Sequence, residues 1–125
     1  MVVQFINDPD SKIACEINSD KWLIFGKKYI VLEICINLDN SVYFRLASDL
    51  DDKPVFFEAK YFKVISPKLE QDWIFISLPS SFRIAPSKAI EDDLIWEKFI
   101  DGDIDSIKWF SQYYNSLQKN NKEFL

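Results

Sequence analysis

The stretch Lys28-Tyr29-Ile30-Val31-Leu32-Glu33-Ile34-Cys35-Ile36-Asn37-Leu38 decides how the rest of the chain is read. It is β-branched and apolar at successive positions rather than at every second one, which suits a central strand covered on both faces. Working outward from it, Lys12 to Asn18 alternates, with Ile13, Cys15 and Ile17 on one side and Glu16 on the other, and is expected to be a strand. The Leu38-Asp39-Asn40 turn signal introduces another strand over Ser41 to Ser48. Val55 to Ile65 is expected as one strand long enough to bend, its start set by Pro54, which cannot donate to a ladder. Trp73 to Leu78 and Phe82 to Ala85 form a last pair joined by Pro79-Ser80-Ser81. Strands recurring every ten residues or so, with turn signals between, predict a strongly bent sheet or small barrel.

Beyond Pro86 the period changes. Ile90, Leu94, Ile95, Phe99 and Ile100 lie at helical spacing over 88–101, and Gly102 supplies a left-handed cap. Asp103 then caps a second helix over 104–118, with Ile104, Ile107, Phe110, Tyr114 and Leu117 expected on its buried face. The polar end from Lys119 onward is expected to fray. The chain therefore reads as one α+β domain: a β-rich core over 1–86, a helical pair over 87–118 and a tail over 119–125. The expected architecture is a bent antiparallel sheet or barrel followed by two C-terminal helices.

The composition narrows the chemistry. Among 125 residues there is no histidine, which removes Ser-His-Asp and Cys-His nucleophiles, HExxH zinc hydrolases and facial-triad iron sites. With only Gly26 and Gly102, no glycine-rich loop can cradle a phosphate. The opening segment lacks a basic region and breaks at Asn7-Asp8-Pro9, so it reads as neither a signal peptide nor an anchor, and the protein is expected to be cytoplasmic. Cys15 and Cys35 lie in apolar surroundings and are expected to be buried, free thiols. No cofactor or metal is expected. The net charge of −5 argues against nucleic acid as a partner and would attract a basic one, although solubility alone also accounts for it.

Three groups of residues invite a functional reading. Asp49, Asp51 and Asp52 cluster in a loop that lacks the spacing of a calcium site and reads as a solvated turn or the edge of a surface for basic side chains. Glu91, Asp92 and Asp93 fall where the first turn of the first helix is expected, so complementing the helix dipole accounts for them structurally. They lie close in sequence to Asp101, Asp103 and Asp105. Residues 87–125 hold eight acids against five bases, and residues 1–86 hold twelve against ten, so the helical third is the more acidic per residue. Trp109 and Tyr113 follow Asp105 at four-residue steps, a row that a helix buried on two faces explains and that a binding hot spot also requires. A carboxylate pair can work without histidine, but no spacing here singles out a nucleophile and base.

The order Gly26-Lys27-Lys28-Tyr29, Asp52-Lys53-Pro54-Val55-Phe56-Phe57, Phe62-Lys63-Val64-Ile65-Ser66-Pro67 and then Trp73 resembles small SH3-like barrels. The ending Trp96-Glu97-Lys98-Phe99-Ile100-Asp101-Gly102-Asp103, followed by an aromatic helix, is similar to small bacterial immunity proteins encoded beside contact-dependent growth-inhibition and other polymorphic toxins. The resemblance covers residues 22–117. It implies a non-enzymatic protein that binds one cognate toxin domain, often a nuclease, in a one-to-one complex and blocks its active site, with no role for nucleic acid or membrane. The chain lacks the acidic-aromatic loop of peptide-binding SH3 domains, which argues against polyproline recognition. The acids and aromatics named above are the expected contact residues. A general interaction or reader module, and a small carboxylate-dependent enzyme, are the alternative readings.

Overall fold

The computed structural model describes residues 1–125 and has an α+β architecture of two antiparallel sheets and four helices. β1 (Val2–Phe5) lies between β2 (Lys28–Ile30) and β6 (Phe62–Ser66) in a three-stranded sheet. The larger sheet has the order β5 (Pro54–Glu58), β4 (Val42–Ala47), β3 (Glu33–Asn37), β8 (Ser81–Pro86), β7 (Trp73–Ser77). β3 is thus its central strand, as expected from its continuous apolar run.

Two expected strands are each divided, and the divisions join the sheets. The run from Lys28 breaks at Val31-Leu32, so that β2 pairs with β1 while β3 pairs with β4 and β8. The apolar alternation slips there: Val31 and Ile34 belong to one core, Leu32 to the other. The Val55 to Ile65 run breaks at a short 3-10 turn over Ala59–Tyr61, and the chain passes from β5 to β6. Strands that change sheets at such corners are typical of sheets packed face to face. The two sheets share a core but do not close into a barrel, which corrects the barrel alternative.

Lys12 to Asn18 is helical rather than extended: α1 spans Lys12–Ser19. Ser11 caps it by accepting from the Ala14 amide at 3.2 Å, and Ala14 is buried with Ile17 packed against the same core. Ile13, Cys15 and Ile17 fit an alternating template, but Ser11 following Pro9-Asp10 is a helix-start signal, and the cap decides between the two. The helices are therefore not all C-terminal.

The expected helix over 88–101 is two short ones, α2 (Ser87–Glu91) and α3 (Ile95–Ile100). The Asp92 carboxylate accepts from the Leu94 amide at 3.2 Å, an aspartate side chain competing with helical hydrogen bonds. The Gly102 cap is present with φ +88°. Gly102 donates to the Phe99 carbonyl and Asp103 to that of Lys98, the paired bonds of a Schellman ending. Asp103 then starts α4 (Ile104–Asn120).

At the chain end α4 runs on to Asn120 and a 3-10 turn follows over Lys122–Phe124. Asn121 is buried, its side-chain amide donating to the Leu117 carbonyl at 2.8 Å and to the Glu70 carboxylate at 2.9 Å, which pins the chain end to the loop before β7. Cys15 and Cys35 are free but only half-buried, which corrects full burial. Cys15 sits on α1, and Cys35 occupies the register row between Tyr43 and Arg83 in the larger sheet.

The larger sheet separates two cores. On one face Ile34, Phe44 and Leu46 meet Val3, Phe5, Tyr29 and Phe62 of the smaller sheet, with Val31 from the corner between the sheets. On the other, Ala85 joins Ile30 and Leu32 against Ala89, Ile95, Trp96, Phe110 and Leu117 of the helical layer. The whole C-terminal third hangs from this second face.

Candidate functional site

The corner where α2, α3 and α4 meet concentrates the charge of the chain. Residues 91–105 hold seven acids and a single base, Lys98, a net of −6 against −5 for the whole sequence. Everything outside these fifteen residues is close to neutral, with thirteen acids and fourteen bases.

Of the acids expected in a contact surface, Asp92, Asp103 and Asp105 line one shallow pocket of about 440 Å³ together with Trp109. Lys88, Lys98, Ile95 and Ser106 complete its lining. Two of these carboxylates also have structural partners. Asp103 accepts from the Ser106 hydroxyl at 2.7 Å and from its amide at 3.0 Å. Asp92 accepts from Lys98 Nζ at 2.9 Å. The Ser106 hydroxyl holds Asp103 below the usual carboxylate range, and the Lys98 ammonium does the same for Asp92.

Asp101 is exposed at the end of α3, and Glu91 is exposed at the end of α2. Glu91, Asp92 and Asp93 thus lie at a helix junction and not in a first helical turn, so the helix-dipole account of them is corrected. Asp93 instead approaches Arg83 Nη1 at 3.9 Å with its own side chain largely exposed.

The Asp49–Asp52 loop is a separate feature. Asp49 accepts from the Lys27 ammonium and the Tyr29 hydroxyl, and Asp51 from the Ser48 hydroxyl at 2.6 Å. Asp52 has φ +57°, a left-handed turn position that aspartate tolerates. Burial raises the Tyr114 pKa, and the nearby charges of Asp52 and Asp49 raise it further, so this loop faces α4 on its Tyr114 flank. At about 100° per residue, Trp109 and Tyr113 lie on the opposite flank of the buried Phe110–Leu117 line. The structure does not bring this loop into the pocket. No group of three or more carboxylates and thiols converges as a metal site.

Trp109 and Tyr113 form a ridge that is half core. Their rings stack at 5.3 Å, and Trp109 also packs on buried Trp96 at 5.7 Å. The Tyr113 hydroxyl accepts from Trp73 Nε1 at 2.8 Å and donates to Asp72 at 3.2 Å, and burial pushes its pKa up.

Two features were not anticipated as functional. Ile104 and Ile107, expected in the core of α4, are 81% and 42% exposed. Ser106 is buried instead, its hydroxyl donating to the Asp103 carboxylate. Ile104 and Ile107 are thus exposed in the first turns of α4; at about 100° per residue Ile107 lies toward the Tyr114 flank, while Asp105 lies with Trp109 on the pocket flank, and Ile100 is exposed at the end of α3.

The second is Glu33, fully buried between the only two arginines of the chain. Arg45 Nε donates to it at 2.8 Å and Arg83 Nε at 2.7 Å, with a further bond from Arg83 Nη2. The Arg45 guanidinium also lies 4.0 Å from the Phe56 ring centroid and 5.2 Å from that of Trp96 in α3. Burial pushes the Arg45 pKa down, opposed by the Glu33 carboxylate. The signal was present as an acid in the apolar β3 run and two lone arginines in neighbouring strands, since a buried carboxylate needs partners.

No family model matches the chain, and neither a curated protein nor a solved structure does. No helix is long and apolar enough to cross a membrane.

Proposed function

We propose that the protein binds a basic protein partner through the acidic α3–α4 corner, and that the partner is a nuclease toxin domain which it neutralises as an immunity protein. The observation that carries the binding reading is the pairing of charge with exposed apolar surface. Nearly all the net charge lies in residues 91–105, and Ile104, among the most exposed apolar side chains of the molecule, stands within that segment. Solubility alone calls for charge but not for an isoleucine beside it. A partner supplies both halves: its lysines and arginines meet Asp101, Asp103 and Asp105, and its apolar surface removes Ile104 and Ile107 from water. Fully burying an exposed isoleucine contributes about 1.5–3 kcal/mol, most of which Ile104 can supply and the part-buried Ile107 less than half.

The toxin assignment rests on the likeness of the Trp96–Asp103 ending to immunity proteins and on electrostatics. A site that holds phosphates is basic, and an acidic plug complements it. In this reading the pocket between Asp92, Asp105 and Trp109 receives one cationic side chain, and Trp109 provides an aromatic wall.

The test uses the toxin domain encoded by the neighbouring gene. A one-to-one complex is expected, with an association rate that falls as salt rises, since exposed charges are screened beyond about 8 Å at physiological ionic strength. Ile104→Ala should leave melting unchanged and raise the dissociation rate by roughly tenfold or more, in the range of a hot-spot residue. A complex indifferent both to salt and to Ile104→Ala would refute this surface. Absence of any complex would refute the immunity reading.

A further inference from the structure

The larger sheet has two edges, and they are built differently. β5 begins at Pro54, which has no amide to offer, and ends at Glu58, which pairs with Lys60 at 3.1 Å. The edges of the smaller sheet carry Lys28 in β2 and Lys63 in β6. β7 carries none of these guards. From Trp73 to Phe82 the sequence Trp-Ile-Phe-Ile-Ser-Leu-Pro-Ser-Ser-Phe holds no charge, and its only proline lies in the turn. Ile74, Phe75 and Leu78 are exposed, Phe75 by 60%.

The backbone of this edge is also open. Ser87 donates to the Asp72 carbonyl and Leu78 to that of Ser81, so even-numbered positions of β7 turn toward β8. By antiparallel alternation, Phe75 and Ser77 turn their N–H and C=O groups away from the sheet. β7 has no other strand neighbour. An uncharged, apolar strand with unpaired outward groups is a template for another strand.

We propose that this edge pairs with the same edge of a second copy, in an antiparallel two-fold arrangement that extends the larger sheet across the dimer. The occupant follows from charge. A two-fold axis sets the residues on it against their own counterparts and returns every charge of the patch to the same interface, so self-pairing favours an edge without charge, and β7 is the sheet edge that meets this condition. Centring the axis on Phe75, the middle residue of β7, gives the greatest overlap. Phe75 then exchanges both backbone bonds with Phe75 of the partner subunit, and Ser77 donates to the carbonyl of the partner subunit's Trp73. The Trp73 amide is already bonded to the Glu70 carbonyl and is not required. Phe75, stacked on Phe82 at 5.5 Å, then meets the same pair across the axis.

Sedimentation of the intact protein from micromolar to millimolar concentration tests the pairing, together with amide exchange. A reversible dimer is expected, with the Phe75 and Ser77 amides exchanging more slowly as concentration rises. Phe75→Lys sets two charges near the axis, and Ser77→Pro removes an outward N–H without touching the bonds to β8. Either should weaken the dimer by at least about tenfold, whereas Glu58→Lys on the opposite edge should leave it unchanged. Melting curves establish that each variant is folded. If one is not, the other and the wild-type exchange data decide. A protein that stays monomeric throughout the range, or a dimer that survives both folded variants, overturns the proposal. Toxin affinity is read separately, because the β7 variants leave the acidic corner intact.

Discussion

The two faces of the larger sheet solve the same problem by opposite means. Toward the smaller sheet, Val3, Phe5, Val31 and Leu46 are fully buried in a core without a charged group. Toward the helices, the sheet buries Glu33 between Arg45 and Arg83 and sets α3 on the Arg45 guanidinium through Trp96. The first face tolerates many apolar side chains of suitable volume. The second depends on particular partners, and the acidic corner is attached to it. One end of the ion cluster even reaches that corner, through Arg83 and Asp93.

The largest effect should come from breaking the second face. Glu33→Ala leaves two guanidinium groups largely buried without a counter-charge and should cost about 3–5 kcal/mol of unfolding free energy in denaturant titration. Leu46→Ala on the first face should cost about 2–5 kcal/mol by cavity formation. The two differ in their remedy. Replacing Glu33, Arg45 and Arg83 together by apolar residues of similar volume should recover stability to near wild type, because the cost of burying the charges vanishes with them. If Glu33→Ala were as mild as a surface change, the ion cluster would not be what anchors the helical layer.

Trp109 sharpens the comparison at the helical layer itself. Half-buried against Trp96 and stacked on Tyr113, it should cost about 2 kcal/mol of stability when cut to alanine, less than a fully buried tryptophan. Affinity for the basic partner, measured on the folded fraction of the same variant, should fall less than it does for Ile104→Ala. The reverse order would return the hot spot to the Trp109–Tyr113 ridge.

The same contrast explains what could be read from the residues alone. The apolar run of β3 and the change of period after Pro86 depend on burial patterns of whole segments, and both are visible in the linear sequence. Gly102 and Asp103 were legible because cap chemistry is local. Where the strands divide is another matter. The slip at Val31-Leu32 and the turn at Ala59–Tyr61 are set by which sheet each half pairs with, and pairing is not written in local composition. Ile104 and Ile107 differ for a related reason: Phe110 and Leu117 are buried as helical spacing expects, but spacing does not say where along a helix the covering layer ends, and the first turns of α4 stay exposed. The acids of the corner could be listed in advance, yet that Asp92 joins Asp103 and Asp105 in one pocket depends on the break at Asp92–Leu94, and that Asp49–Asp52 stands apart from it depends on tertiary packing.

The smallest effect separates charge from capping at Asp103, the residue that serves both. With Asp92, it is held below the usual carboxylate range in the folded protein, so the folded state binds fewer protons than the unfolded one. Their contribution is present in full above the unfolded value of about 3.9 and is lost as pH falls through the depressed folded values. No histidine titrates between about pH 5 and 8, but burial holds the Met1 amine below its ordinary value of 8.0, so melting should rise slightly with pH across that window and decline in acid. Asp103→Asn keeps an oxygen that can accept from the Ser106 amide but removes the charge. It should melt close to wild type at neutral pH, lose less on acidification, and associate more slowly with a basic partner. Asp103→Ala removes the acceptor as well and should melt lower throughout, while its association rate falls by no more than that of the asparagine variant. Equal melting of the two variants would mean that the cap contributes nothing, and equal association rates for wild type and Asp103→Asn would leave the carboxylate with its structural role alone.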